Sequence, residues 1–367
     1  MDEGIRGVAS PAGTSAYAAR GVGIGVACSE HFRRSGELTL SSLGIGTYLG
    51  AADASTDEAV RSATLRTLSS GAVNVVDTAI NYRGQRAERS VGRALAEGIR
   101  SGSFSREGIF LSSKIGYLAP DSESGVPPRQ WVVEELFGTG ALRPGELVGG
   151  SHAMSVGYLR DQLARTLKNL GVETVDLLYL HNAAESELVE LGPKAFEGRL
   201  AEAFAFLEEA RRKGRIAAYG LATWDSLRLG RQEEGYLSLE RATEIAREVG
   251  GEGHGLRFVQ FPLNPNMPEA LLLKNQRVGG KAHTLLEAAA ALGVATFSSA
   301  PLLQGEAIGQ LPSAGALTPA QTLLQFARSA PHHLAALVGQ KDPRHVQENL
   351  ALALRPPEDP EVVRTWV

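Results

Sequence analysis

Four side chains of this 367-residue sequence are of types that together could deliver a proton to a carbonyl oxygen: Asp77, Tyr82, Lys114 and His181. Three of them end apolar runs. Val73–Val76 leads into Asp77, Ile109–Ser113 into Lys114 and Leu177–Leu180 into His181, while Tyr82 follows in the loop behind Asp77. An unpaired charge at the end of a buried strand is costly to desolvate, so such residues have a partner or a task. A phenol is a poor acid at neutral pH, with an unperturbed pKa of about 10. A neighbouring ammonium favours the phenolate, so Lys114 is expected to lower the Tyr82 value. Asp77 would hold the lysine by a charge-assisted hydrogen bond. His181 would orient the carbonyl, and Tyr82 would protonate the developing alkoxide. Singly, each residue has a plainer reading: Asp77 suits a helix N-cap, Lys114 a solvated strand end, His181 a structural histidine. Their joint occurrence favours the chemistry.

Short aliphatic runs alternating with longer amphipathic segments would bring the four together. The strand candidates are Leu43–Thr47, Val73–Val76, Ile109–Ser112, Val175–Tyr179, Ala217–Leu221, Arg257–Phe261, Val294–Phe297 and Ala335–Val338. Helical spacing marks Tyr158–Leu170, Leu200–Lys213, Thr284–Leu292 and Pro319–Arg328. Eight such units predict an α/β fold of the (β/α)8 TIM-barrel type, whose function sits at the C-terminal strand ends. Gly44-Ile45-Gly46-Thr47 is too short for a dinucleotide-binding fingerprint, which disfavours an open doubly wound sheet. Val22–Cys28 and Glu37–Leu40, around a turn at Arg33–Gly36, read as a β-hairpin closing the barrel's bottom. Residues 1–21, rich in Gly, Ala and Ser, read as a flexible leader, and residues 22–367 as a single barrel domain. The segment Ile115–Met154, after the third strand, is an unusually long loop.

Composition narrows the function classes. A formal charge of −4 with interspersed signs argues against a nucleic-acid or polybasic membrane surface. The single cysteine, Cys28, excludes an intrachain disulfide and a cysteine-based metal cluster. No apolar run reaches the roughly 20 residues of a membrane span. A cytoplasmic protein acting on a small molecule, without metal, is the expectation.

Asp77-Thr78-Ala79-Ile80-Asn81-Tyr82, continuing through Gly84 to Glu88 and Gly92, resembles the signature of the aldo-keto reductases. Ser113-Lys114 and Asp176-Leu177-Leu178-Tyr179-Leu180-His181-Asn182 resemble that family's next motifs. The resemblance runs from about Leu43 to Leu352 and implies a tetrad of Asp77, Tyr82, Lys114 and His181. It also implies NADPH as the cofactor, with NAD possible, and hydride transfer to the carbonyl carbon. By the same resemblance, Gln260 and Thr223 would hold the nicotinamide carboxamide. Ser299 falls where the family often has a stacking tyrosine, and Phe297 is an alternative stacker. Gly46, Thr47, Asp77, Pro301, Leu302, Gly339 and His345 would line the cofactor. Glu348 and Asn349 would contact adenine, and Lys341 or Arg344 would pair with a 2′-phosphate. Gln260 alone could instead satisfy backbone groups, and Glu348 with Asn349 could be an ordinary helix face.

Substrate contacts are assigned to Tyr48, Trp131 and Trp224, although Trp131 and Phe137 could equally pin the long loop and Trp224 could be core. His152 reads as solvated or as a weak substrate contact. The substrate class is an aldehyde, a ketone or a sugar anomeric centre. Two alternatives stand beside the oxidoreductase: a cofactor-binding regulatory subunit, and a Schiff-base lyase with Lys114 as nucleophile.

Overall fold

In the computed structural model, which describes residues 4–309, 311 and 317–367, the apolar runs become strands. β1 (Phe32–Ser35) and β2 (Leu38–Ser41) form a hairpin. β3 (Leu43–Gly46), β4 (Val75–Asp77), β5 (Phe110–Ile115), β6 (Val175–His181), β7 (Ile216–Ala222) and β8 (Leu256–Pro262) follow. β9 (Gln276–Val278) and β10 (Lys281–His283) make a second small hairpin. β11 (Ala295–Ser299) and β12 (Ala335–Gly339) complete a closed parallel barrel in the order β3-β4-β5-β6-β7-β8-β11-β12. This is the expected (β/α)8 architecture, and each predicted strand core lies within a residue or two of an observed strand.

The helices are α1 (Pro11–Gly23), α2 (Ala54–Ser69), α3 (Arg86–Arg100), α4 (Pro128–Trp131), α5 (Val156–Leu170), α6 (Ala183–Leu191) and α7 (Pro193–Arg212). α8 (Leu239–Gly250), α9 (Glu269–Leu272), α10 (Leu285–Ala291), α11 (Pro319–Ser329), α12 (Pro343–Ala351) and α13 (Pro360–Arg364) follow. Their ends are written locally. Thr284 and Thr318 each form a capping box, with Glu287 and Gln321 respectively, and Pro319 occupies the first turn of α11.

Side chains alternate along a strand, so every second residue points into the barrel. A lower inner layer holds Val75, Phe110, Leu177, Phe258, Phe297 and Leu337 in one apolar cluster. Phe297 stacks on Phe258 and Phe110 there. Two residues further along, the same faces carry Asp77, Ser112, Tyr179, Gln260 and Ser299. One step more on β5 and β6 brings Lys114 and His181. The strand register sets Asp77 opposite Ser112, Lys114 opposite Tyr179 and Gln260 opposite Ala222.

Three expectations need correction. Residues 11–23 are not a flexible leader but helix α1, whose N-cap Ser10 accepts from the Gly13 amide; residues 1–3 lie outside the described set. The small residues serve close packing. A Cβ on Gly13 would collide with the Glu107 backbone, and one on Gly21 with the Gly71 carbonyl. Tyr17 is buried, with its hydroxyl 2.7 Å from both the Leu68 and Val73 carbonyl oxygens. Secondly, Val22–Cys28 is no strand. It is the end of α1 and a turn, and the true partner of β2 is Phe32–Ser35, joined through Gly36 at φ 56°.

Thirdly, Trp131 makes no pocket wall. It packs with Leu136, Leu142, Ala153 and Tyr158 in a small core inside the long loop, and the Arg165 guanidinium lies 4.9 Å from its ring. Phe137 packs against the same cluster.

Docking of α1 predicts that Tyr17→Ala destabilises the protein by about 3 kcal/mol, the usual cost of emptying a buried aromatic site. Urea unfolding reads this as a lower midpoint. A flexible leader would leave the midpoint unchanged.

Candidate active site

Asp77 ends β4 with both carboxylate oxygens engaged. Oδ1 accepts from Ser112 Oγ at 2.6 Å and from Gln260 Nε2 at 3.1 Å; Oδ2 is paired with Lys114 Nζ. The lysine ammonium also donates to the Thr78 carbonyl at 2.9 Å and to Tyr82 Oη at 3.2 Å. The Tyr82 ring stands edge-on to His181, centroids 5.8 Å apart, and to Tyr48, 5.0 Å apart. The four predicted residues therefore meet at the C-terminal mouth of the barrel.

The turn that carries Tyr82 is held at some cost. Arg83, Gly84 and Gln85 all adopt left-handed backbone, with φ of 52°, 59° and 71°. For the two non-glycine residues this conformation is unfavourable and persists only when the surroundings impose it. Arg83 is clamped to buried Asp57 at 2.6 Å, and Gln85 donates to the Ala119 carbonyl at 2.8 Å. Glu88 is buried on α3 and accepts from Ser113 Oγ at 2.6 Å, steadying β5 beside Lys114. Gly92 lets α3 approach α5, since a Cβ there would meet the Asn169 and Leu170 carbonyl oxygens at 2.7 Å. The signature glutamate thus supports the lysine strand, and the signature glycine the packing of α3 on α5.

Electrostatics modify one expectation. Burial pushes the Tyr82 phenol above its usual value, and the Lys114 charge opposes that rise without reversing it. The net direction is upward, so the phenol stays protonated. For Lys114, burial disfavours the charge, but Asp77 and Tyr82 outweigh it and the ammonium is stabilised. Burial, with Lys114 and His152 nearby, holds His181 well below the usual imidazole range. The site therefore presents a neutral phenol, a neutral imidazole and a buried ammonium–carboxylate pair.

The predicted cofactor positions fall at the C-terminal ends of β3, β4, β7, β8, β11 and β12. Gly46 and Gly339 are register partners on β3 and β12, and they leave two adjacent strand ends without side chains. Thr47 is buried, its hydroxyl on the Asp77 carbonyl at 3.1 Å. Thr223 follows β7 and its hydroxyl lies 3.4 Å from the Gln260 carbonyl oxygen. Ser299 ends β11, and Pro301 and Leu302 begin the loop behind it. Phe297 sits one inner layer below, packed in the barrel, and offers no stacking surface at the mouth.

At the β12 end, Lys341 and His345 are exposed, and Arg344 pairs with Asp342 at 2.8 Å. Asn349 is buried and donates to Gln340 Oε1 at 2.7 Å. Glu348 accepts from the Thr318 hydroxyl. Tyr48 and Trp224 are exposed at the rim.

Tyr117 and Glu185 carry no sequence signal, and the reading of His152 as solvated or a substrate contact gives way to a buried one. Tyr117, just past Lys114, stands edge-on to His181 at 5.1 Å. His152 is fully buried rather than solvated and bonds to Glu187 and to the His181 carbonyl. Glu185 Oε1 accepts from the backbone amides of Trp224, Asp225 and Ser226 at 2.7 to 2.9 Å and so fixes the loop after β7. Only the three-dimensional pairing of distant loops reveals these contacts.

Comparisons place this geometry. A model of the aldo/keto reductase family matches residues 42–236, more than half the chain. No curated protein matches it. Among solved structures, the holo form of an aldo-keto reductase from Bacillus halodurans shares 16% identity, covering 92% of this chain and 96% of that one, with a TM-score of 0.60. An aldo/keto reductase from Klebsiella pneumoniae in complex with NADP and acetate shares 18%, covering 92% and 94%, at 0.57. The glycerol dehydrogenase of Gluconobacter oxydans shares 17%, covering 89% and 90%, at 0.57. At these identities the structures speak for the fold, while the family model speaks for descent: the chain belongs to the aldo/keto reductase family and is an NAD(P)H-dependent oxidoreductase.

Proposed function

We propose that the protein interconverts a carbonyl group and an alcohol with NADP(H), using Tyr82 as general acid in reduction and as general base in oxidation. The observation that supports this most directly is the Lys114 ammonium, shared between Asp77 and the Tyr82 hydroxyl. His181, neutral and facing Tyr82, would donate a hydrogen bond to the carbonyl oxygen and orient it. Tyr82 would then release its proton to that oxygen as negative charge develops there, with Lys114 stabilising the phenolate left behind. The Asp77 carboxylate keeps the lysine charged and in place.

Residues at the mouth fit the family's cofactor. Asn81 Oδ1 and Thr78 Oγ1 are buried without a hydrogen-bond partner among the described residues, and unmet polar groups of this kind are typical of a binding site. The bare strand ends at Gly46 and Gly339 allow close approach to the backbone, as a dinucleotide requires. Thr223, Gln260 and Ser299 would hold the nicotinamide end; Lys341 and Arg344 would meet a 2′-phosphate, favouring NADP over NAD. When bound, the nicotinamide supplies or accepts the hydride. The neighbour bound to NADP supports the same preference. A Schiff-base role for Lys114 is disfavoured, because its ammonium is stabilised and bonded to Asp77, Thr78 and Tyr82. The intact tetrad likewise favours an enzyme over a regulatory subunit. Substrates are aldehydes, ketones or sugar anomeric centres entering between Tyr48, Tyr117 and Trp224.

Tyr82→Phe should lose carbonyl reduction by about 10²- to 10⁴-fold while still binding NADPH, checked by absorbance loss and by fluorescence titration. Retained turnover would remove Tyr82 as the proton donor. The pH dependence has a definite sign. A phenol held above its usual value of about 10 stays protonated through neutral and mildly alkaline pH, so reduction should be flat between about pH 6 and 9. Alcohol oxidation needs the phenolate and should rise steadily over that range; a bell centred near neutrality in either direction would contradict the assignment. Lys341→Ala should weaken NADPH binding several-fold more than NADH binding, and equal weakening would place the 2′-phosphate elsewhere.

A further inference from the structure

His181 is an unusual orienting group, because its Nδ1 is buried and has no hydrogen-bond partner among the described residues. Orienting imidazoles are commonly fixed by a bond from the second ring nitrogen. The ring is placed by its backbone and by the rings around it. The backbone turns sharply at this point. β6 ends at His181, and Asn182 enters left-handed conformation at φ 48° before α6 begins. The His181 carbonyl therefore sits at a strand end, where the barrel ladder stops.

His152 occupies that position. Its Nε2 lies 2.9 Å from the His181 carbonyl oxygen, and its Nδ1 lies 2.8 Å from Glu187 Oε1. A carbonyl and a carboxylate only accept, so Nε2 donates to the His181 carbonyl and Nδ1 to Glu187, which pairs the ring as an imidazolium with the carboxylate. Both side chains are fully buried, and Arg199 holds the other Glu187 oxygen at 3.2 Å. Tyr117 stands between the two imidazoles, edge-on to each with centroids 5.1 Å away. Its hydroxyl accepts from Asn182 and Ser186, 3.3 Å each.

The long loop after β5 is what delivers these groups. Its two ends pair, Ala153 N to the Gly116 carbonyl at 3.0 Å and Leu118 N to the Ser151 carbonyl at 2.7 Å. Gly116 adopts φ 129°, and any Cβ there would collide with His152 Nε2. Closing the loop thus presses His152 and Tyr117 onto the end of β6.

We propose that His152 and Glu187 are positioning residues for the reaction: Glu187 holds the His152 ring, His152 fixes the His181 main chain, and Tyr117 wedges the His181 imidazole toward Tyr82. The inference rests on the reading of His181 as the group that orients the carbonyl. It assigns the closure of the long loop a role in aligning the site.

The test uses the full chain, an aromatic aldehyde and NADPH, with kcat, KM, NADPH affinity and thermal midpoint measured for each variant. His152→Leu should lower kcat/KM for the aldehyde about tenfold or more, the scale of loss from a slightly misplaced reacting group, while NADPH affinity stays unchanged. His152→Gln can place an amide N–H near the same carbonyl and should recover most of the loss. A folded His152→Leu with wild-type kcat/KM would overturn the proposal; so would equal impairment of the Leu and Gln variants, which would mean packing alone. If His152→Leu fails to fold, Glu187→Met decides: loss of kcat/KM at unchanged NADPH affinity supports the proposal, and wild-type kinetics overturn it. Tyr82→Phe run in parallel separates the two claims. An inactive Tyr82→Phe beside a wild-type His152→Leu defeats only this inference, whereas an active Tyr82→Phe defeats the underlying reading and this one with it.

Discussion

The buried pair of Lys114 and Asp77 is the constraint on which the rest of the site depends. Both charges sit above an apolar barrel interior whose lower layer is built of Phe110, Phe258 and Phe297. Desolvating two charges is repaid only if geometry and extra hydrogen bonds are good. Ser112, Gln260 and the Thr78 carbonyl supply those bonds, and strand alternation places the first two. The same alternation forbids a shift by one residue on β4 or β5, which would turn Asp77 or Lys114 out of the barrel. The chemistry and the register of the sheet are in this sense one requirement.

That link explains what was legible in the sequence. The barrel strands stand out as short apolar runs because both their faces are buried, and the tetrad stands out because charges end such runs. Inner-layer membership was also readable in principle: Phe297 lies two residues before Ser299 and must point into the same interior, one layer down. Other parts were illegible for physical reasons. In α1 the glycines that suggest flexibility instead allow contact with the Glu107 and Gly71 backbones, and only the folded partner shows which role applies. The hairpin was displaced because Gly23 and Gly25 end a helix rather than open a strand. His152 is a lone histidine in a loop, and its partner Glu187 lies on a different element.

The Tyr82 environment shows why magnitudes matter. From types alone, an ammonium beside a phenol predicts a more acidic phenol. Desolvation of the phenolate acts the other way and is the larger effect here. Lys114 limits the rise without creating a resting phenolate. That arrangement suits a proton donor, which must hold its proton until the oxygen of the substrate becomes basic. It also means that the lysine acts mainly on the charged form that appears during reaction, the differential stabilisation from which rate enhancement arises.

Gln260 joins this proton-handling centre to the other half of the mouth. One of its amide N–H groups is committed to Asp77, and its backbone carbonyl receives the Thr223 amide at 2.8 Å. The residue is therefore oriented from both ends before anything binds, by the carboxylate that also holds Lys114. A group taken up against the remaining face of the Gln260 amide would be placed relative to Asp77, and through Lys114 relative to the Tyr82 hydroxyl. Pre-organisation of this kind reduces the ordering that binding must impose. In this barrel it follows from a period-two pattern that turns Asp77, Lys114 and Gln260 into the same interior.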